Sequence, residues 1–205
     1  MDREELLAGL RRRGLDDRVV EAVARVPREQ FVPPTLRGRA WEDGALPIGA
    51  GQTISQPSLV AYMVALLDLR GGEHVLDVGT GSGYHAAVLA QLAAHVWSIE
   101  RHAELSETAA AALREAGVEN VTLVVGDGSR GWPPEAPYDG INVAAAVEGP
   151  VPEPLLGQLA DGGRLVAPLR DGDERLVVLR REGDHFERSD HGSVRFVPLV
   201  RELPS

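Results

Sequence analysis

Neither cysteine nor lysine occurs among the 205 residues, and each absence removes chemistry. Without cysteine there is no disulfide framework and no thiolate for zinc, and the six histidines (His74, His85, His95, His102, His185 and His191) show no paired ligand spacing. No metal is expected, and these histidines read as surface or packing groups. Without lysine, Schiff-base catalysis, lysine-anchored pyridoxal phosphate and the phosphate-binding loop of ATPases all fall away, since each needs that amine. All 21 basic residues are arginine, and a net charge of -10 repels phosphate backbones. Arg11-Arg12-Arg13 therefore reads as the solvated end of a helix, and no nucleic acid partner is expected. No apolar run resembles a membrane span, and the start Met-Asp-Arg-Glu-Glu lacks the apolar centre of a signal peptide. With 43% hydrophobic residues, enough for a full core, the expectation is one domain over residues 1–205, cytoplasmic and monomeric.

What is present centres on Val75-Leu76-Asp77-Val78-Gly79-Thr80-Gly81-Ser82-Gly83-Tyr84. A short apolar run ends at an acid, three glycines follow at alternate positions, and an alanine-rich helical pattern runs from Tyr84 to Leu92. This is a strand, a tight turn and a helix. Glycines let the chain turn sharply and let a ligand lie against main chain, so the stretch is a nucleoside-cofactor candidate. A dinucleotide fingerprint would require glycine at position 84, where Tyr84 stands. The smaller, zwitterionic methionine end of S-adenosylmethionine (SAM) fits better, with Asp77 near its ammonium group. An ordinary glycine-rich turn remains the plain alternative.

Helical spacing predicts two short helices, Arg3–Arg13 and Asp16–Val26, followed by an irregular, proline- and glycine-rich stretch from Pro27 to Gly51. In Gly51-Gln52-Thr53-Ile54-Ser55-Gln56-Pro57, four hydrogen-bonding side chains precede an apolar helix over 59–69. They suit either helix capping, by Ser55 or Ser58, or the holding of a carboxylate. Further strands are expected at 96–99, Val121–Val125, Tyr138–Val143 and Arg164–Pro168. Two more, at 176–179 and Val194–Leu199, close a mixed α/β sheet. Glu100, Arg101, Asp127 and Gly128 stand just past strand ends. In a parallel sheet Asp77, Glu100 and Asp127 should converge on one crevice, Glu100 accepting ribose hydroxyls and Asp127 an adenine amino group.

Taken in order, Phe31-Val32-Pro33, Leu46-Pro47-Ile48-Gly49, the heptapeptide Gly51 to Pro57, the Gly79 to Tyr84 loop, Gly126-Asp127-Gly128 and Val194-Arg195-Phe196-Val197-Pro198-Leu199 resemble the protein-L-isoaspartate O-methyltransferase family. The resemblance implies a Rossmann-like, SAM-dependent methyltransferase with a mostly parallel sheet, helices on both faces and two helices at its N-terminus. It implies methylation of the α-carboxylate of L-isoaspartyl residues in damaged proteins or peptides, with S-adenosylhomocysteine as the second product. Carried over by position, cofactor contacts fall to Gln52, Thr53, Ile54, Ser55, Asp77, Gly79, Thr80, Gly81, Ser82, Gly83, Glu100, Arg101, Asp127 and Gly128. Acceptor contacts fall to Gln52, Ser55, Ala144 and Val197, and Ser55 matches the active-site hydroxyl.

The sequence departs from the family's pattern after the fourth strand. Ala144 replaces a usual hydroxyl, Val147-Glu148-Gly149 intervene before Pro150, and polar Asn142 stands in a strand that should be buried. These changes admit two alternatives, a carboxyl methyltransferase for a dedicated peptide and a SAM-binding homologue without catalysis.

Overall fold

The computed structural model describes residues 2–200. Two capped helices open the chain, α1 (Arg3–Arg12) and α2 (Asp17–Arg25). Asp2 and Glu5 close a capping box on α1, each side chain accepting the other's backbone N–H at 2.9 Å, and Asp16 accepts Arg18 N–H at 2.8 Å to start α2. Both helices bury one face, through Leu7 and Leu10 of α1 and Val19, Val20 and Val23 of α2.

The Pro27–Gly51 stretch is more regular than its composition predicts. It holds two 3-10 turns, Arg28–Phe31 and Pro34–Arg39, and then β1 (Leu46–Gly49), which pairs antiparallel with β2 (Gln52–Ile54). Strands of four and three residues, one containing Pro47, are too short to show alternation. The next helix, α3, is Pro57–Leu67. Neither Ser55 nor Ser58 caps it. The capping position is Gln56, without a side-chain cap, and Asp43 Oδ1 accepts the Ser58 N–H at 3.1 Å from across the loop. A partner 15 residues upstream is closer in space than any local hydroxyl, which leaves Ser55 for another role.

The central sheet follows: β3 (His74–Val78), α4 (Tyr84–Ala90), β4 (His95–Glu100), α5 (Ala103–Glu115), β5 (Val121–Val125), β6 (Tyr138–Val143), β7 (Val147–Glu148), α6 (Glu153–Gly157), β8 (Leu159–Asp171), β9 (Asp173–Glu182) and β10 (His185–Ser193). The strand order is β10-β9-β8-β6-β3-β4-β5, with β7 beside β8. Pairs from β8 to β5 are parallel, whereas β9 and β10 run antiparallel. The expected Rossmann-like sheet is therefore present. Its two faces bury separate cores: Val75 and Val96 pack with α1 to α5, and Leu76, Val78, Trp97 and Ile99 pack with Leu155 of α6. The chain steps outward from β3 to β5 and then jumps back to β6 on the other side of β3. That reversal opens a crevice at the carboxyl ends of β3 and β6.

The expected strand Val194–Leu199 is corrected by the structure. The last strand is the polar run His185–Ser193, and its ladder breaks between Asp190 and Ser193, where Gly192 takes φ +95°. Residues 194–200 continue as an extended strap. Val197 C=O accepts from Ala146 N–H and Leu199 N–H donates to Ala146 C=O, both at 2.7 Å. The strap's apolar side chains are thereby laid over the crevice instead of into the sheet. Among the described residues no helix is long and apolar enough to cross a membrane.

Candidate active site

Main chain forms the floor of the crevice. Gly79, Gly81 and Gly83 have φ of +96°, +52° and +86°, a region that side chains rarely tolerate. The loop is tied down by Gly79 N–H and Thr80 N–H, which donate to Ile99 C=O at 2.9 and 3.2 Å. Glu100 holds it from the side, accepting Gly81 N–H through Oε2 at 2.9 Å and His102 N–H through Oε1 at 3.0 Å. Each oxygen keeps a lone pair for a ligand. A cleft, open at its mouth, is lined by Val78, Gly79, Gly81, Ile99, Glu100, Arg101, Gly128 and Ala144, with Gln52, Thr53 and the strap residues Val197 to Val200 completing it. Gly128 packs so tightly that a Cβ there would lie 2.5 Å from Val78 Cγ1. Only glycine leaves that wall flat, as a planar ring requires.

A smaller pocket continues from the cleft through Thr53, Gly79, Gly81 and Ala144. It adds Ile54, Ser55, Thr80, Ser82, Tyr84 and His85. Among the described residues Ser55 Oγ has no protein partner, so its hydroxyl is open to a ligand. Of the residues singled out from sequence, Gln52, Thr53, Ile54, Ser55, Gly79, Thr80, Gly81, Ser82, Glu100, Arg101, Gly128, Ala144 and Val197 all line one pocket or the other.

Asp77, Gly83 and Asp127 line neither pocket. Gly83 faces α5, where a Cβ would meet Ala109 Cβ at 3.1 Å, so it serves helix packing. Asp127 spends Oδ1 on Ser129, accepting its N–H at 3.0 Å and its hydroxyl at 2.8 Å. Asp77 is fully buried inside the sheet. The three acids do not converge: Glu100 alone reaches the cleft, because strand alternation turns Asp77 onto the helical face. There the parallel register sets Ser98 on one side of Asp77 and Asn142 on the other.

These residues form a buried polar chain. Thr80 Oγ1 and Ser98 Oγ are 2.6 Å apart, Ser98 donates to Asp77 Oδ2 at 2.7 Å, Asn142 Nδ2 donates to Asp77 Oδ1 at 2.7 Å, and the same Nδ2 lies 3.3 Å from His85 Nδ1. Asn142, unexpected in a buried strand, is thus explained by its acidic neighbour. Burial lifts the Asp77 carboxyl to about 6, with the Asn142 and Ser98 bonds opposing and the Glu100 charge adding to the rise. Burial pushes the His85 imidazole down to about 3, so it is neutral at pH 7. Behind the loop, Tyr84 meets Phe31 edge-on at 5.8 Å and carries the buried Arg28 guanidinium 4.9 Å over its ring. This fastens the N-terminal segment to the site. Sequence reasoning missed His85 and the strap residues Pro198 and Leu199. Only the position of His85 directly after the glycine loop could have flagged it.

The segment that departs from the family pattern is placed apart from the pockets. Val147 and Glu148 form β7 against β8, and Arg170 donates to Glu148 at 2.7 Å; of the altered positions Ala144 alone lines a pocket, while Asn142 lies behind it against Asp77 and His85.

The chain is 49% identical over 201 residues to the protein-L-isoaspartate O-methyltransferase of Parvibaculum lavamentivorans, covering 96% of this chain and 90% of that one. It is 53% identical over 194 residues to protein-L-isoaspartate O-methyltransferase 2 of Marinobacter nauticus, covering 93% and 88%. A solved protein-L-isoaspartate O-methyltransferase superposes with a TM-score of 0.88 at 30% identity, over 98% of this chain and 67% of that one. The Plasmodium falciparum protein solved with S-adenosyl-L-homocysteine shares the fold, with a TM-score of 0.83 at 23% identity over 98% and 99%. With the family profile matching residues 1–203, this chain belongs to the protein-L-isoaspartate(D-aspartate) O-methyltransferase family.

Proposed function

We propose that this protein binds SAM in the cleft and transfers its methyl group to the α-carboxylate of L-isoaspartyl residues in damaged proteins or peptides. The observation that carries the reading is the meeting of two segments. Gln52 to Ser55, with an open hydroxyl, shares its pockets with the glycine loop and with Glu100. The residues fit the cofactor by shape as well as chemistry, since Gly128 leaves a flat wall beside Val78 and Ile99 for an adenine ring. Glu100, held by two backbone N–H groups, is set to accept ribose hydroxyls and to repel a 2′-phosphate.

When bound, SAM supplies a methyl group already activated by the sulfonium charge. The protein then needs no general base, because a carboxylate of reference pKa about 4 is ionised at neutral pH. Its task is positioning. Ser55 is placed to hold the acceptor oxygens through a neutral donor, which grips the ground-state charge less than arginine would and so favours the less charged transition state. Gln52, three residues earlier, lines the main cleft. The strap from Val197 to Val200 lines the cleft and excludes water.

The test is labelled methyl transfer to paired isoaspartyl and aspartyl peptides. Methylation of the isoaspartyl peptide alone is expected, with Ser55→Ala lowering kcat by about 10- to 100-fold. Absence of transfer by protein that still binds S-adenosylhomocysteine would overturn the reading. It would favour a dedicated peptide acceptor, for which Ala144 in the acceptor pocket is the supporting observation.

A further inference from the structure

Two side chains lining the small pocket are more than nine-tenths buried and carry a polar atom with no protein partner among the described residues: Tyr84 Oη and His85 Nε2. Tyr84 gives its ring to Phe31 and Arg28, behind the loop. His85 is different, because its proton can be placed. Asp77 accepts from Asn142 at 2.7 Å, so the Asn142 atom facing that acid is its NH2 group. The second hydrogen of that NH2 points to His85 Nδ1 at 3.3 Å, which makes Nδ1 an acceptor. A neutral imidazole has one N–H, and with Nδ1 accepting, it sits on Nε2. No protein group among the described residues accepts from that nitrogen, and the side chain shares the pocket with Ser55, Thr53 and Ala144.

We propose that His85 Nε2–H donates a hydrogen bond to a carboxylate seated in the small pocket, with the Asp77–Asn142 pair fixing the tautomer that makes this possible. The pocket's polar walls are hydroxyls of Ser55, Thr53 and Ser82 and main chain of the glycine loop, with no cationic side chain; the Thr80 hydroxyl is already donated to Ser98, whose own hydrogen goes to Asp77. Such a lining is donor-rich and uncharged, and it suits an anion held without a counter-charge. The inference rests on the reading of the cleft given above, which brings two carboxylates to the protein as candidates for this pocket. One is at the methionine end of the cofactor and the other is the isoaspartyl acceptor.

Two binding constants separate these sources. S-adenosylhomocysteine is titrated calorimetrically into wild type, His85→Leu and His85→Gln, and KM for an isoaspartyl peptide is measured on the same proteins. His85→Leu is expected to weaken one of the two by about tenfold, the loss of one buried hydrogen bond to a charged group. A loss on S-adenosylhomocysteine assigns the contact to the cofactor, and a loss on peptide KM assigns it to the acceptor. His85→Gln, whose amide can donate from a similar place, should recover most of it. Independently of any variant, the 15N spectrum of wild-type imidazoles should show His85 protonated on Nε2, with that resonance moving when the ligand binds. A proton on Nδ1, or both constants unchanged in His85→Leu, overturns the proposal alone. Wild type that binds no S-adenosylhomocysteine overturns the reading of the cleft and this proposal with it.

Discussion

The two ends of the site are built by opposite means. The main cleft is made of backbone: glycines at positive φ, N–H groups gathered by Glu100, and a wall at Gly128 kept flat by having no side chain. The small pocket rests on side chains, a chain of five polar groups from Thr80 through Ser98, Asp77 and Asn142 to His85, buried between sheet and helices. A backbone surface has little freedom to re-form around a new atom, whereas a hydrogen-bonded chain can rotate an amide or move a proton and keep its shape. The cleft should therefore respond to substitution in large steps and the pocket in small ones.

Gly128→Ala is the severest test. A Cβ 2.5 Å from the branched, buried Val78 side chain must displace it or the loop. Overpacking of this kind costs about 1–3 kcal/mol in stability. The displaced wall should weaken S-adenosylhomocysteine binding more than about 100-fold by calorimetry, well beyond what the stability loss explains. Binding within threefold of wild type would show that the cleft adapts as freely as the pocket. Glu100→Gln comes next. The amide can accept only one of the two N–H groups that Glu100 now accepts, and it presents an NH2 to the other. Affinity should fall about 10- to 50-fold, from one unmatched buried donor and a weakened ribose contact.

Asp77→Asn probes the other end, and pH is the measurement. The carboxyl is raised to about 6 by burial, from 3.8. Between those values the folded protein holds a proton that the unfolded chain has released. Stability from this group is therefore greatest below about pH 4, falls as pH rises to 6 and then levels. Two pH units at about 1.4 kcal/mol each set the fall on the order of 3 kcal/mol. Urea denaturation of wild type and Asp77→Asn from pH 4 to pH 7 should show that slope in wild type and its loss in the variant. Cofactor affinity at pH 7 should change less than about fivefold, because the introduced amide can present its oxygen to Asn142 Nδ2 and its NH2 to Ser98 Oγ, which leaves the His85 proton on Nε2. A drop matching that of Glu100→Gln would erase the distinction between the two ends.

The same distinction marks what could be read from the sequence. Glycine spacing announces backbone, so the loop, its strand and its ligand class were legible, as were β5 and β6 with bounds Val121–Val125 and Tyr138–Val143. Side-chain direction was not. Asp77 could be seen as an acid at a strand end, but its turn away from the cleft follows from the register that sets Ser98 and Asn142 beside it, a relation across 21 and 65 residues. Asn142 looked like a misfit for the same reason. The strap was misread because Val194–Leu199 has the apolar content of a strand, while polar His185–Ser193 pairs through its backbone at the sheet's end. Ser55 could not be resolved between cap and ligand contact from sequence, because the group that accepts the Ser58 N–H at the start of α3 is Asp43, 15 residues away.

Ala144→Thr is expected to do least, and its outcome bears on which residues choose the acceptor. Ala144 lines both pockets and lies beside Gly79, which has no side chain to crowd an added group. The added hydroxyl would be another neutral donor next to Ser55, in a pocket already supplied with them. A donor that grips the acceptor equally before and during transfer changes KM and leaves kcat alone. KM for an isoaspartyl peptide should move by less than about threefold, with kcat unchanged and the aspartyl twin still refused. A tenfold gain in kcat, or methylation of the aspartyl peptide, would place acceptor choice in this one side chain. The buried chain from Asp77 to His85 would then be scaffolding for the fold, and the contrast between the two ends would lose its functional meaning.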